Sequence, residues 1–290
     1  MAAALLGSHM SVAGGLHEGA RRLREAGGNA LQVFTTNSNQ WAAKPVAHET
    51  AELFRNACKQ YGVKYCVSHD SYLINLAAVG ELAKKSYLTF VEEIKRCELY
   101  GISDVVFHPG AHVGAGVEAG LKRVAKNVMK ALDATAKGKV RLLIEITAGQ
   151  GTCLGARFEE VRDLLALCGG PSPRLGVCFD TCHAHAAGYD LSTEAGARAV
   201  FDQFDKIVGI NTLGLFHLND AKKPAGSHAD RHEHIGRGTI GLSGFRVLGA
   251  DKRFAKIPKV LETEKGINPS TGRDYDIENL EILRSMAGYT

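Results

Sequence analysis

The sequence contains no apolar run that approaches the roughly 18–20 residues a membrane-spanning helix needs. Residues 1–6 (MAAALL) are too short for a secretory signal and carry no basic segment, so we expect a cytoplasmic protein, associated with the nucleoid if the source is bacterial. Neither sign of charge is in large excess, because the chain has 35 Lys and Arg and 31 Asp and Glu, for a net charge of +4. So mild an excess is compatible with a polyanionic partner but does not require one.

Cysteine, proline and aromatic residues are too few or too scattered to define a fold. The seven cysteines follow no small-scaffold spacing, and Cys178 and Cys182 have no second pair with which to build a zinc ribbon. We therefore interpret the cysteines as reduced thiols in or beside the core. Aromatic residues make up 7% of the chain and prolines number seven, whereas there are 33 glycines, which suits many short turns between helices and strands.

Strand-like apolar runs alternate with helix-like stretches along the whole chain. Alternation of this kind predicts a parallel sheet with helical crossovers, and eight units in 290 residues predict an α/β fold, a single (β/α)8 barrel over residues 1–290. An open doubly wound sheet is the alternative, but no G-x-G-x-x-G follows the first run to support it. The predicted strands are 3–10, 30–34, 63–67, 104–107, 140–144, 175–179, 213–216 and 257–261.

A carboxylate or an imidazole follows each predicted strand from the third onward. Because the carboxyl ends of barrel strands ring one mouth, we expect these side chains to converge there as a metal site. Ligands of this type, without thiolates, suit Zn²⁺, Mn²⁺ or Fe²⁺. Nine groups exceed what one ion uses, so we predict two or three ions that share carboxylates, an arrangement suited to phosphoester hydrolysis. The nine candidates are His69, His108, Glu145, Asp180, His183, His217, Asp230, His232 and Glu262.

Any one of these histidines, taken alone, is more simply explained as an ordinary core or loop residue. Nine ligand-type residues at corresponding positions make repeated coincidence a poor explanation. His9 and His112 also lie near the predicted mouth, and we expect them to hydrogen-bond ligand residues rather than to bind metal. The other histidines have no strand-end position of their own and are interpreted as surface or loop residues.

Several separated motifs occur in an order that is typical of one family. The chain resembles, nearly from end to end, the endonuclease IV family of apurinic/apyrimidinic (AP) endonucleases. Because many motifs match in sequence order, the resemblance is far more specific than any single motif. The motifs are GSHMSVAGG at 7–15, HDSYLIN at 69–75, FHPG at 107–110, Glu145 with TAGQG at 147–151, DTCH at 180–183, HLNDAK at 217–222, DRH at 230–232 and LET at 261–263.

The resemblance implies a TIM barrel with a trinuclear zinc centre, in which Mn²⁺ could replace zinc at one site. His69, His108 and Glu145 would hold one ion. Glu145 would bridge to a second ion, which Asp180, His217 and Glu262 would also hold. His183, Asp230 and His232 would hold the third ion. Glu145 and Glu262 are the predicted catalytic residues. The implied reaction is hydrolysis of the phosphodiester 5′ to an abasic site, leaving a 3′-hydroxyl and a 5′-deoxyribose phosphate, together with removal of blocking groups from 3′ ends.

The resemblance also implies contacts to duplex DNA. The sequence gives no argument for oligomerisation, so we expect a monomer. Tyr72 and Leu73 match the family's residues that are inserted at the lesion, and residues of this kind open and bend duplexes. Arg231 is a candidate phosphate contact, and Lys222, Lys223 and Arg237 are further surface cations for which a simple solvated position is about equally plausible.

Three positions depart from the family's pattern. Where well-known members have an arginine that enters the DNA, this chain has Asn39, which cannot supply a cation, so we expect weaker duplex binding. Ile146 stands in place of the asparagine that usually follows the bridging glutamate, which removes a polar group beside the ligands. The segment 265–275 is longer and more polar than in short bacterial members.

Two other functions fit parts of the pattern. A sugar isomerase or epimerase of the xylose-isomerase-like barrels would use one or two divalent ions, so it would have no use for His183, Asp230 and His232 as a third set. A lesion-binding protein without catalysis would not need a complete ligand set, and a test of whether bound DNA is cut would separate it from a nuclease.

Overall fold

Eight parallel strands close into a barrel in the computed structural model, which describes residues 4–41 and 44–290. Each strand pairs with its sequence neighbours, and the last barrel strand closes the ring by pairing with the first, Leu6 beside Lys259. The predicted barrel is confirmed; the first residue of predicted strand 3–10 lies outside the described part. The barrel strands are β1 Leu6–His9, β2 Ala30–Val33, β3 Tyr65–His69, β4 Asp104–Phe107, β5 Arg141–Glu145, β6 Leu175–Asp180, β7 Leu213–His217 and β10 Lys259–Leu261.

Helices surround the barrel and pack buried side chains against the sheet; the short helix Thr181–Ala186 is buried along its whole length. Local signals set their ends: Gly101 adopts a left-handed φ of 74° where α3 stops, and the Thr193 side chain accepts the Gly196 N–H (3.0 Å) where α7 begins. None of the helices in the described ranges is long and apolar enough to cross a membrane. The helices are α1 Leu16–Glu25, α2 His48–Gln60, α3 Gly80–Tyr100, α4 Val117–Ala134, α5 Phe158–Leu167, α6 Thr181–Ala186, α7 Glu194–Ile207, α8 Gly241–Ala250 and α9 Tyr275–Arg284.

Apolar side chains fill the barrel interior, so the barrel is a packed core rather than a pore. Successive strand residues point to opposite faces, and one residue from most strands contributes to this interior layer. A second, larger apolar layer, rich in phenylalanine, lies between the sheet and the helices. Polar groups inside the barrel are therefore restricted to the strand ends. The interior layer consists of Ala30, Val67, Val106, Leu143, Cys178, Leu215 and Val260.

The loops that leave the carboxyl ends of β6 and β7 contain structure that the sequence did not predict. Asp180 caps a short helix, α6, by accepting the His183 N–H (2.8 Å), so His183 is helical rather than in a loop. The segment 219–241, predicted as a long polar loop, contains a small antiparallel pair, β8 Asp220–Ala221 and β9 His232–Glu233. This pair turns the chain back over the mouth and carries His232 with it.

Candidate metal centre at the barrel mouth

The strand ends, α6 and the β8–β9 hairpin bring all nine predicted ligand residues together at the C-terminal mouth. They fall into three groups, and within each group the candidate ligand atoms lie within 4.8 Å of one another. Glu145 belongs to two groups, because its two carboxylate oxygens face different neighbours. The groups are His69, His108 and Glu145; Glu145, Asp180, His217 and Glu262; and His183, Asp230 and His232.

Glu145 lies at the centre of the first two groups. Its Oε2 is 3.1 Å from Nε2 of His69 and 3.1 Å from Nε2 of His108. Its Oε1 is 3.0 Å from Nδ1 of His217, and that nitrogen is in turn 3.1 Å from Oε2 of Glu262. A carboxylate with one oxygen directed to each group is placed to bridge two cations.

The third group forms a compact triangle of donor atoms beside the other two. Oδ1 of Asp230 is 3.2 Å from Nε2 of His183 and 3.3 Å from Nε2 of His232, and the two imidazole nitrogens are 3.5 Å apart. Ligand atoms bound tetrahedrally at about 2.0–2.1 Å from zinc are separated by about 3.3–3.4 Å. The observed spacing therefore fits one zinc-sized ion.

Four of the five imidazoles have one nitrogen beside a carbonyl or amide oxygen and the other beside a carboxylate. Nδ1 of His69 lies 2.8 Å from the Asp70 carbonyl, and Nδ1 of His183 lies 2.9 Å from the Ile146 carbonyl. A carbonyl can only accept, so the outer nitrogen carries a proton, and in the neutral form of the ring the inner nitrogen has a lone pair for a metal ion. The same arrangement places Nδ1 of His232 3.2 Å from the Glu262 carbonyl, and Nε2 of His217 2.7 Å from Oε1 of Gln32.

Burial and the imidazoles act on the carboxylates in opposite directions. Burial alone would raise the pKa of Glu145, but His217 and His108 outweigh it and hold that pKa well below its usual range. Glu262 is largely buried, with 11% of its side chain exposed, and against that burial His217 keeps its pKa well below the usual value. The pKa of Asp230 is lowered to about 2 against its burial, chiefly by His183. Glu145, Glu262 and Asp230 are thus ionised at neutral pH, the form that a metal ion binds.

Two amide side chains that the sequence analysis did not single out support the ligands. Besides contacting His217, Gln32 donates to Glu262 and lies 3.0 Å from Nδ1 of His9. Asn219 donates to Oδ2 of Asp180 (2.7 Å) and accepts the Glu262 N–H (2.7 Å). The sequence does offer a clue to Gln32, because it is the polar residue within the apolar β2 sequence ALQV. In the structure its side chain is fully buried.

The sequence analysis also singled out three other residues near the ligands: His9, His112 and Ile146. His9 does contact this network, whereas His112 accepts the Gly116 N–H within its own loop (3.1 Å). Ile146 is fully buried in the core, and what it presents to His183 is its backbone carbonyl. The departure at position 146 therefore leaves that contact to His183 intact.

Two buried cysteines also lie close to the ligand atoms. Cys178 groups with Glu145 and His217, and Cys182 groups with Asp180 and His232, within the same 4.8 Å limit. Burial raises the pKa of both thiols to about 12, so both are protonated at neutral pH. Since only the thiolate is a good metal ligand, the nine His, Asp and Glu groups remain the better donors.

One of the candidate DNA-contacting residues, Tyr72, lines a cavity of about 410 Å³ at the same mouth. The Tyr72 side chain is 59% exposed, and its ring lies 5.4 Å from that of His69. Leu73 follows, partly buried, and Asn39 is exposed with its N–H bonded to Oδ1 of Asn37 (3.0 Å). Arg231 is exposed beside the third group and donates to the Asp230 carbonyl (2.6 Å).

The surface cations near the mouth differ in how far they are already engaged. Arg237 donates to Oε2 of Glu278 (2.9 Å) and lies 5.3 Å from the centre of the Tyr275 ring. Lys222 lies 3.6 Å from Oε2 of Glu264. Arg237 is therefore a poorer candidate for a phosphate contact than Arg231.

Comparison with known proteins places this geometry in a family. Residues 20–286 match the family described as a xylose isomerase-like TIM barrel. The chain is 47% identical to a "Probable endonuclease 4" of Geobacter sulfurreducens, over 97% of this chain and 94% of that protein. It is 45% identical to a protein of the same name from Chloroflexus aurantiacus, over 97% of both chains.

Solved structures agree on the fold. The crystal structure of endonuclease IV from Thermus thermophilus superposes with a TM-score of 0.84 at 35% identity and covers 97% of each chain. A D-tagatose 3-epimerase-like protein superposes with a TM-score of 0.71 at 18% identity, over 96% of each chain. At 18% identity, the similarity to the epimerase-like protein concerns the fold alone.

Proposed function

The chain belongs to the endonuclease IV family, and from that premise we propose that it is a DNA-repair endonuclease that hydrolyses the phosphodiester 5′ to abasic sites in duplex DNA. The proposed products are a 3′-hydroxyl and a 5′-deoxyribose phosphate. The observation that carries the proposal is the third donor group, His183, Asp230 and His232, beside the two groups that share Glu145. Three adjacent cation sites can neutralise the charge that develops around a phosphodiester during its cleavage.

The three groups would hold zinc ions, with Mn²⁺ as a possible substitute at one of them, since both metals accept His and carboxylate ligands. When bound, these ions supply an activated water and stabilise the attacking and leaving oxygens. Glu145 keeps one oxygen directed at each of the first two groups, and Glu262 faces His217 in the second. Glu145 thereby links the first two groups and Glu262 completes the second, which is why we assign both residues catalytic roles.

Other residues at the mouth would bring the abasic site to the three donor groups. Tyr72 and Leu73 would enter the duplex at the abasic site, where a nucleotide without a base costs little to unstack. Arg231 would contact a phosphate beside the third group, and Asn39 would face the duplex without adding a positive charge. Because the cavity opens to solvent at the same mouth, a damaged 3′ end could enter it, and we include removal of 3′-blocking groups in the proposal.

We further propose that residues 1–290 act as one domain and as a monomer. All three donor groups come from a single chain, so the site as described needs no second copy. A sugar isomerase would need at most two of these groups, and it remains the alternative that the experiment below separates.

The test is incision of a duplex oligonucleotide that contains one tetrahydrofuran abasic analogue. This analogue cannot undergo β-elimination, so a cut on its 5′ side must be hydrolytic. We expect cutting by the purified protein, loss of cutting after treatment with a strong chelator, and recovery with zinc. A fully metallated protein that binds the duplex without cutting it would favour a lesion-binding role, and one that neither binds nor cuts would favour a sugar substrate.

A further inference from the structure

The loop after β4 contains a turn whose backbone is unusual for its sequence. The Ala115 N–H donates to the His112 carbonyl (3.0 Å), which closes a four-residue turn over 112–115. Its two central residues, Val113 and Gly114, have φ angles of 46° and 83°. Positive φ at both central positions is the feature of a type I′ turn, in which Asn-Gly is the favoured pair.

Valine is poorly suited to the first of these two positions. A left-handed φ brings the Cβ of an L-residue too close to its own backbone, and branching at Cβ makes the crowding worse. The Val113 side chain is also 74% exposed, so it gains little packing in return. Backbone strain that the surrounding structure imposes in this way is found preferentially at functional sites.

The turn is held rigidly beside the mouth cavity. The Val113 N–H donates to Oγ1 of Thr152 (3.3 Å), and the His112 N–H donates to the Thr152 carbonyl (3.0 Å). At the base of the turn, Ala111 lines the cavity and exchanges two hydrogen bonds with the side chain of Asn75, three residues after Tyr72. The loops after β3 and β5 thus fix the position of Val113.

The chemistry of the tip indicates the kind of surface it meets. The turn and its flanks, 111–116, read AHVGAG and contain no Lys, Arg, Asp or Glu. A tip without a cation is unsuited to phosphates, whereas apolar side chains that enter a duplex pack against sugars and base edges in the minor groove. Tyr72, 59% exposed at the same cavity, is the other large apolar side chain presented there.

We propose that Val113 is a rigid apolar contact to the minor groove of the abasic duplex beside the lesion, acting together with Tyr72. This inference rests on the proposed function, because it takes the abasic duplex as the ligand. The strained turn holds the Val113 side chain in place before DNA binds, so no binding free energy is lost to ordering this loop. Val113 adds apolar area to the contact and does not take part in the chemical step.

The test uses Val113→Asn and Val113→Gly, both of which accept a left-handed φ. With the tetrahydrofuran duplex we expect KM to rise about tenfold in both variants while kcat stays within twofold. We expect the slope of KM against salt to be unchanged, because no charge has been removed. Val113→Asn should also leave the thermal midpoint equal to that of the parent or raise it by about 2 °C, since strain is relieved.

Two further variants sharpen the result. Val113→Ile keeps the apolar contact and should keep KM within twofold of the parent. Val117→Ala, four residues along and 40% exposed on the first turn of α4, is the matched surface control and should leave KM and kcat unchanged.

An unchanged KM in Val113→Gly and Val113→Asn would overturn the inference while leaving the nuclease function standing. A fall of several degrees in the thermal midpoint of Val113→Asn would also overturn it, because the valine would then be structural. If the parent protein fails to cut the duplex at all, the proposed function fails, and the inference fails with it.

Discussion

The two ends of the barrel use charged residues in different ways. At the strand starts, each buried charge has a local partner: Asp104 accepts from Arg141 and from Ser103, and the Lys259 ammonium donates to the carbonyls of Phe254 and Ile257 (2.8 Å each). At the strand ends, four carboxylates and five imidazoles converge on one another and are not divided into simple pairs.

This difference separates stability from chemistry within one fold. Hydrogen bonds to nearby side chains and carbonyls satisfy these charges at the strand starts, so we assign the residues a role in stability. At the mouth, inner imidazole nitrogens and ionised carboxylates are directed at shared points, which is an arrangement that only cations can satisfy fully. Changes at the mouth should therefore affect turnover and metal binding, and changes at the strand starts should affect stability.

The largest expected effect comes from Glu262→Gln at the mouth. The substitution keeps the shape of the side chain but removes the charge that faces His217, so we expect turnover on the tetrahydrofuran duplex to fall about a thousandfold, or ~4 kcal/mol of transition-state stabilisation. Duplex affinity should stay within a few fold, as measured by fluorescence anisotropy. Turnover equal to that of the parent would rule out the assigned position of Glu262.

Removing the metal should lower stability while leaving the barrel folded. Ions that bind only the native state stabilise it by mass action, by about 4 kcal/mol per site at a thousandfold excess over Kd. We expect the thermal midpoint to fall on chelation and to recover with zinc, while far-ultraviolet circular dichroism stays unchanged. A midpoint insensitive to complete stripping would mean that the donor groups do not hold ions.

The opposite result is expected from Arg141→Met at the strand starts. This change leaves Asp104, which is 3% exposed, without its cation. Since the Arg141 side chain is itself 32% exposed, we expect a loss of about 2 kcal/mol in the free energy of unfolding, below the roughly 3–5 kcal/mol of a fully buried pair. Chemical denaturation measures it, and kcat should not change.

A second substitution at the same pair provides the control. In the Asp104→Asn/Arg141→Met double variant the uncompensated charge is gone, so part of the lost stability should return. A fall in kcat without a fall in stability in either variant would break the proposed separation of the two ends.

The smallest expected effect is that of Asn39→Arg on the loop after β2. A cation at this exposed position should tighten duplex binding a few fold at low salt and steepen its salt dependence by about one unit of slope. Titrations at several salt concentrations measure both quantities. If affinity and slope both stay the same, Asn39 does not face DNA.

Much of this organisation could be predicted from the sequence, because the spacing of apolar residues that distinguishes a strand from a helix is visible within each short segment. A buried run ending on His217 or Glu145 places that residue at the mouth once the barrel closes. The support from Gln32 and Asn219 could not be predicted, because it depends on which strands become neighbours. The left-handed φ of Val113 was also inaccessible, since loop contacts rather than residue preference impose it.

The central claim, that the mouth holds three metal ions, is tested most directly by counting metal per chain with native mass spectrometry. We expect three zinc ions in the parent protein and two in His183→Ala, because that variant removes one corner of the third donor triangle. Two ions in the parent protein, or three retained in the variant, would contradict the assignment of His183, Asp230 and His232 as a separate site.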